Sequence, residues 1–146
     1  MLGALAGATL AVAAVFDVHR RLIPNTLAIA LATVGLFQLA LTGTSLVPAL
    51  ATAVALFLLG VLAFALGAMG GGDAKLLGAV GLWVPPAALH DFFTIMALTG
   101  AVLALAVVAR RRVVVAVTGE ALAAPASVPY GAAIAAGAGY VLFAPV

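Results

Sequence analysis

Apolar residues run almost unbroken along this chain, and the few polar positions divide the run into six segments, at roughly 1–16, 26–43, 46–68, 75–89, 92–109 and 127–144. The breaks carry residues that interrupt helices or turn the chain: Pro24-Asn25, Thr42-Gly43-Thr44-Ser45, Gly70-Gly71-Gly72, Pro85-Pro86 and Pro125. A helix of about 20 apolar residues crosses a hydrocarbon core of about 30 Å. In that medium every backbone N–H and C=O needs a partner within its own structure, so the pattern predicts helices. The expected fold is an all-α polytopic membrane protein, with about six transmembrane helices in a single membrane-embedded domain, 1–146. The first and fourth segments are short. They can span only by thinning the bilayer, or by ending part-way in a wetted, protein-lined cavity.

Composition strengthens this reading. The chain is 67% hydrophobic and 7% charged, against roughly 45–50% and about 25% for soluble domains. A water-soluble domain of this size is excluded. There is no cysteine, which removes disulfides, thiolate metal sites and a cysteine nucleophile. The net charge of +2 gives no reason to expect a nucleic-acid partner.

The six basic residues act instead as topology signals. Arg20 and Arg21 fall in the first connection, Lys75 in the third and Arg110-Arg111-Arg112 in the fifth. Odd-numbered connections share one face, which the positive-inside rule makes cytoplasmic. Both termini are then expected on the non-cytoplasmic side. Asp17 and Asp73 share the cytoplasmic face, and His90 and Asp91 lie on the other. Ala11-Val12-Ala13 mimics a signal-cleavage site, but no basic stretch precedes it, so a retained span is expected.

Only four residues are acidic, and a carboxylate beside hydrocarbon is costly to keep charged. Asp17 opens Asp17-Val18-His19-Arg20-Arg21-Leu22-Ile23-Pro24-Asn25, and Asp73 closes Gly70-Gly71-Gly72-Asp73. Two carboxylates within hydrogen-bond range share a proton. The ionised member can activate water while the protonated member polarises a peptide carbonyl, with neither metal nor cofactor. The glycines before Asp73 would let a substrate backbone approach, and Pro24 should break the helix past Asp17. Arg20, Arg21 and Lys75 could hold lipid phosphates or tune the acids. Taken singly, each aspartate is more commonly a solvated boundary marker, and Asp73 with Lys75 an interfacial ion pair worth about 0–1 kcal/mol. A transporter subunit with the acids as a cation or proton site, or a non-enzymatic assembly subunit, are the other readings. Transport sites, however, usually lie near the midplane.

The string ending Ile23-Pro24-Asn25 resembles the first active-site motif of type IV prepilin peptidases. The stretch Gly70-Gly71-Gly72-Asp73-Ala74-Lys75 resembles their second, the GxGD motif, and Val128-Pro129-Tyr130-Gly131 is similar to the start of their last helix. The resemblance implies an aspartic endopeptidase of the inner membrane that removes the basic leader from prepilin-like proteins at the cytoplasmic face. Asp17 and Asp73 match the two catalytic aspartates, with Ile23, Pro24, Asn25, Gly70, Gly72, Lys75, Arg20 and Arg21 as supporting motif positions. Larger members carry an N-terminal cytoplasmic region and also N-methylate the product. The short chain is similar to the peptidases of Flp (tight-adherence) pili, for which cleavage without methylation is expected. His19 stands where members commonly have a basic residue.

Other polar residues attract structural expectations. Trp83 reads as an interfacial anchor. Gln38, Thr94 and Thr99 read as helix-packing groups, Glu120 as a loop acid, and 113–117 as a stretch along the membrane surface. Glycines 131, 137 and 139 suit close helix packing. Ser127 has no base nearby in sequence.

Overall fold

The computed structural model describes residues 1–20, 23–119 and 128–144. Among these residues six α-helices follow in order: α1 (Leu2–Arg20), α2 (Asn25–Thr42), α3 (Leu46–Ala65), α4 (Gly71–Val80), α5 (Leu89–Thr118) and α6 (Tyr130–Phe143). A 3-10 turn, Pro86–Ala88, leads into α5. No strand occurs among the described residues. Arg21, Glu120, Pro125 and Ser127 lie outside them.

Among the described residues, four elements are long and apolar enough to cross a membrane: α1, α2, α3 and the stretch Pro86–Thr118. The other two expected crossings are shorter, with 10 residues in α4 and 14 in α6. At 1.5 Å per residue α4 is about 15 Å long, half a hydrocarbon core. The shortness of the fourth segment is therefore real, whereas α1 runs on to Arg20 and is of spanning length.

The short helices form the centre. Six of the ten residues of α4 are buried, whereas α5 buries only Phe92. Helix α4 packs on α2, α3 and α6, while α1 packs on α2 and α6, and α5 on α6. Helices that are apolar all round have no solvent-driven face, so the inward stripe is chosen by size. On α1 that stripe is Ala6, Leu10, Ala13 and Asp17. On α3 it is Thr52, Leu56 and Gly60. A Cβ on Gly60 would stand 2.8 Å from Ala74 Cα, and one on Gly81 2.4 Å from Ala53 Cα. Glycine at these two points lets α3 touch backbone to backbone with α4 near its start, at Ala74, and with Gly81 just past its end.

Several expectations change. Arg110, Arg111 and Arg112 belong to α5 rather than to a connection, and so do residues 113–117. The helix continues to Thr118 and stops at Gly119, whose φ of 70° is the left-handed cap conformation. Trp83 is no interfacial anchor. It is 7% exposed and its Nε1–H donates to the Leu31 carbonyl at 3.0 Å, tying the chain after α4 to α2. Of the three glycines expected to permit packing, Gly131 and Gly137 do so, whereas a Cβ on Gly139 would meet nothing within 4 Å. Thr94 does bond to backbone, its hydroxyl donating to the His90 carbonyl at 2.8 Å.

Candidate active site

Asp17 sits inside the last turn of α1, not at a break. It lies four residues beyond Ala13 and so extends the buried stripe of that helix. Asp73 is the third residue of α4, where its Oδ2 accepts the Gly70 N–H at 3.2 Å. Glycine has no side chain to reciprocate, so this is half of a capping box. Each aspartate is only 6% exposed. The two line one cavity of roughly 440 Å³ with Ile23, Asn25, Lys75 and the three glycines.

The first turn of α6 completes the site. The Ala132 N–H donates to Asp17 Oδ2 at 3.3 Å. A Cβ on Gly131 would lie 2.6 Å from Ile23 Cδ1 and 2.9 Å from Asp17 Oδ2. Only glycine permits that approach. The amides at the start of a helix carry partial positive charge, so this end of α6 suits a neighbouring carboxylate.

Asp73 lies in the first turn of a helix outside the four spanning stretches. Its carboxyl is pushed up from 3.8 to about 6, first by burial and then by the negative charge of Asp17, against the opposing pull of the Gly70 and Gly131 amides. Desolvation and a like charge both favour keeping one proton on the pair.

The remaining motif residues divide by role. Ile23 is buried and fills the space left by Gly72 and Gly131; a Cβ on Gly72 would stand 3.1 Å from its own Cβ. The missing side chain of Gly72 thus accommodates the protein's own chain, rather than clearing a path for substrate. Pro24 precedes α2 as its cap, with φ −59°. Asn25, the first residue of α2, accepts a hydrogen bond from Lys75 Nζ at 2.9 Å through Oδ1. The Lys75 ammonium, for which an ion pair with Asp73 was the alternative reading, thus links α4 to α2. Arg20 lies outside the cavity lining, its guanidinium 5.5 Å from the centre of the Phe16 ring. His19 is exposed.

Sequence reasoning missed the amides of Gly131 and Ala132 as site groups. The signal was present in Pro129-Tyr130-Gly131, a proline and a glycine bracketing a helix start. Read as packing alone, it hid the backbone donors.

Long apolar helices around a buried carboxylate pair define a polytopic helical membrane protein with a two-acid cavity. Residues 4–105 match the family model described as the type IV leader peptidase family, and the chain belongs to that family. The match takes in α1 to α4, both aspartates included, and the first part of α5. Membership makes the protein a peptidase, of the aspartic type that the family comprises. Neither a curated protein nor a solved structure matches the chain.

Proposed function

We propose that the chain is a prepilin leader peptidase of the short Flp (tight-adherence) kind, with Asp17 and Asp73 as its catalytic dyad. In this reading it sits in the cytoplasmic membrane with the acid cavity open to the cytoplasm, and it cuts the basic leader from a prepilin-like membrane protein. The observation that carries the proposal is the pair of buried aspartates lining one cavity in a member of a peptidase family. The segregation of Arg20, Lys75 and Arg110 to Arg112 onto one expected face supports the orientation.

The raised Asp73 value supports giving it the shared proton, which leaves Asp17 as the carboxylate. Asp17 takes a proton from water as the water oxygen bonds to the scissile carbonyl carbon. The Asp73 proton passes to the carbonyl oxygen, giving a neutral tetrahedral diol. Collapse breaks the C–N bond. Asp17 then delivers its proton to the leaving nitrogen, and a diol hydroxyl returns one to Asp73, so the pair ends as it began.

The test is incubation of purified protein with a leader-bearing prepilin, followed by mass spectrometry of the products. Asp17→Asn and Asp73→Asn should each abolish cleavage while membrane insertion persists. Asp91→Asn, at an exposed position in the first turn of α5, should be silent. Processing retained by either of the first two variants refutes the dyad.

A further inference from the structure

A second cavity adjoins the first. It holds roughly 510 Å³ and lies between α2 and α3, with α4 beneath. Helices α2 and α3 follow each other in sequence yet barely touch, because both lean on α4 instead. Five small residues line the floor and walls, Ala28 and Ala32 on α2, Ala53 on α3, and Gly78 and Ala79 on α4, with Phe57 and Leu82 completing them. The lips are apolar and exposed, with Ile29 at 64% and Val54 at 56%. In a bilayer this is a sideways opening toward lipid. The end nearest the acids is formed by Asn25 and Lys75, which line both cavities and are bonded to each other.

We infer that this groove is the docking site for the apolar transmembrane stem of the peptidase's substrate, an inference that rests on the leader-peptidase reading. Two features favour a helix as the occupant. Small residues on three neighbouring elements allow close backbone approach, which is how helices associate where no hydrophobic drive exists. From Asn25 to Ala32 the wall on α2 runs seven residues, about 10 Å or two helical turns, enough to seat one face of a helix. Continuity with the acid cavity supplies the purpose. A stem lying in the groove directs the residues that precede it past the Lys75–Asn25 bond and up to Asp17 and Asp73. The groove thereby sets which bond reaches the acids, by measuring the cut from the point where the apolar stem begins.

Two measurements test this. A photoactivatable cross-linker placed at residue 54 in the Asp17→Asn chain should capture a stem-bearing prepilin in membranes, and one at Leu98, exposed on α5, should not. In the otherwise wild-type chain, Ala32→Phe should raise KM for the stem-bearing substrate about tenfold, as loss of binding away from the reacting bond does. Its cleavage of a peptide that spans the leader junction but lacks the stem should be unchanged. Adducts to phospholipid alone at residue 54, or equal loss on both substrates, would overturn the docking site. If the wild-type chain cleaves neither substrate, the leader-peptidase reading itself fails, and the docking site with it.

Discussion

Gly131 is the position where one methyl group should disturb the acid pair while both aspartates stay in the sequence. In Gly131→Ala the new Cβ would stand 2.6 Å from Ile23 Cδ1, and 2.9 and 3.0 Å from Asp17 Oδ2 and Cγ. The Ile23 methyl is the far end of a flexible side chain and can rotate aside. The Asp17 carboxyl cannot move as freely, because Oδ2 accepts the Ala132 N–H from the same turn. Relieving the overlap shifts that carboxyl by about half an ångström, where a 1 Å misplacement can cost about a hundredfold in rate. We expect cleavage to fall by about 10- to 100-fold, or about 1.4 to 2.7 kcal/mol in the barrier. The cost to folding should be about 1–3 kcal/mol, typical of overpacking. Prepilin cleavage measured in parallel with thermal unfolding in the same detergent separates the two effects. Gly139→Ala is the matched control, since its Cβ would meet nothing within 4 Å. Gly131→Ala cleaving within twofold of the parent would refute the argument that α6 positions Asp17.

Four further outcomes are expected. In the proposed dyad Asp73 holds the shared proton, its carboxyl pushed up to about 6, so kcat/KM should decline as pH rises through that region and the proton is lost. Asp17→Asn removes a neighbouring negative charge, so a carbon-13 titration of the Asp73 carboxyl should report a value below about 6 in that variant. Gly81→Ala would place Cβ 2.4 Å from Ala53 Cα, a backbone atom that cannot rotate away. It should destabilise the fold by about 1–3 kcal/mol or more, read by thermal unfolding. Trp83, the only tryptophan, should show blue-shifted emission protected from acrylamide, and Trp83→Phe should cost about 0.5–1.5 kcal/mol for the lost bond to Leu31. Ready quenching would contradict its burial.

The helical class was readable because apolar runs in a membrane leave no other backbone solution. The two aspartates stood out because charge is so scarce around them. What pattern alone could not settle was helix length and facing. The signal that ends α5, Gly119, stands seven residues beyond Arg112, so three arginines inside a helix looked like a connection. Asp17 looked like a boundary residue, because its place on the stripe of Ala6, Leu10 and Ala13 emerges only once the packed face is known. Trp83 was misjudged for a similar reason: its partner, the Leu31 carbonyl, is a backbone atom 52 residues away. Side-chain patterns say least about backbone donors, and for the same reason the amides of α6 escaped notice.

The grip of α6 on Asp17 joins residues 115 positions apart. A ribosome delivers α1 into the bilayer long before it has made Tyr130. Until the first turn of α6 arrives, Asp17 lacks the Ala132 donor and Ile23 lacks the close contact of Gly131. A nascent or truncated chain that ends before residue 132 thus carries both acids but not the α6 amide that sits beside Asp17.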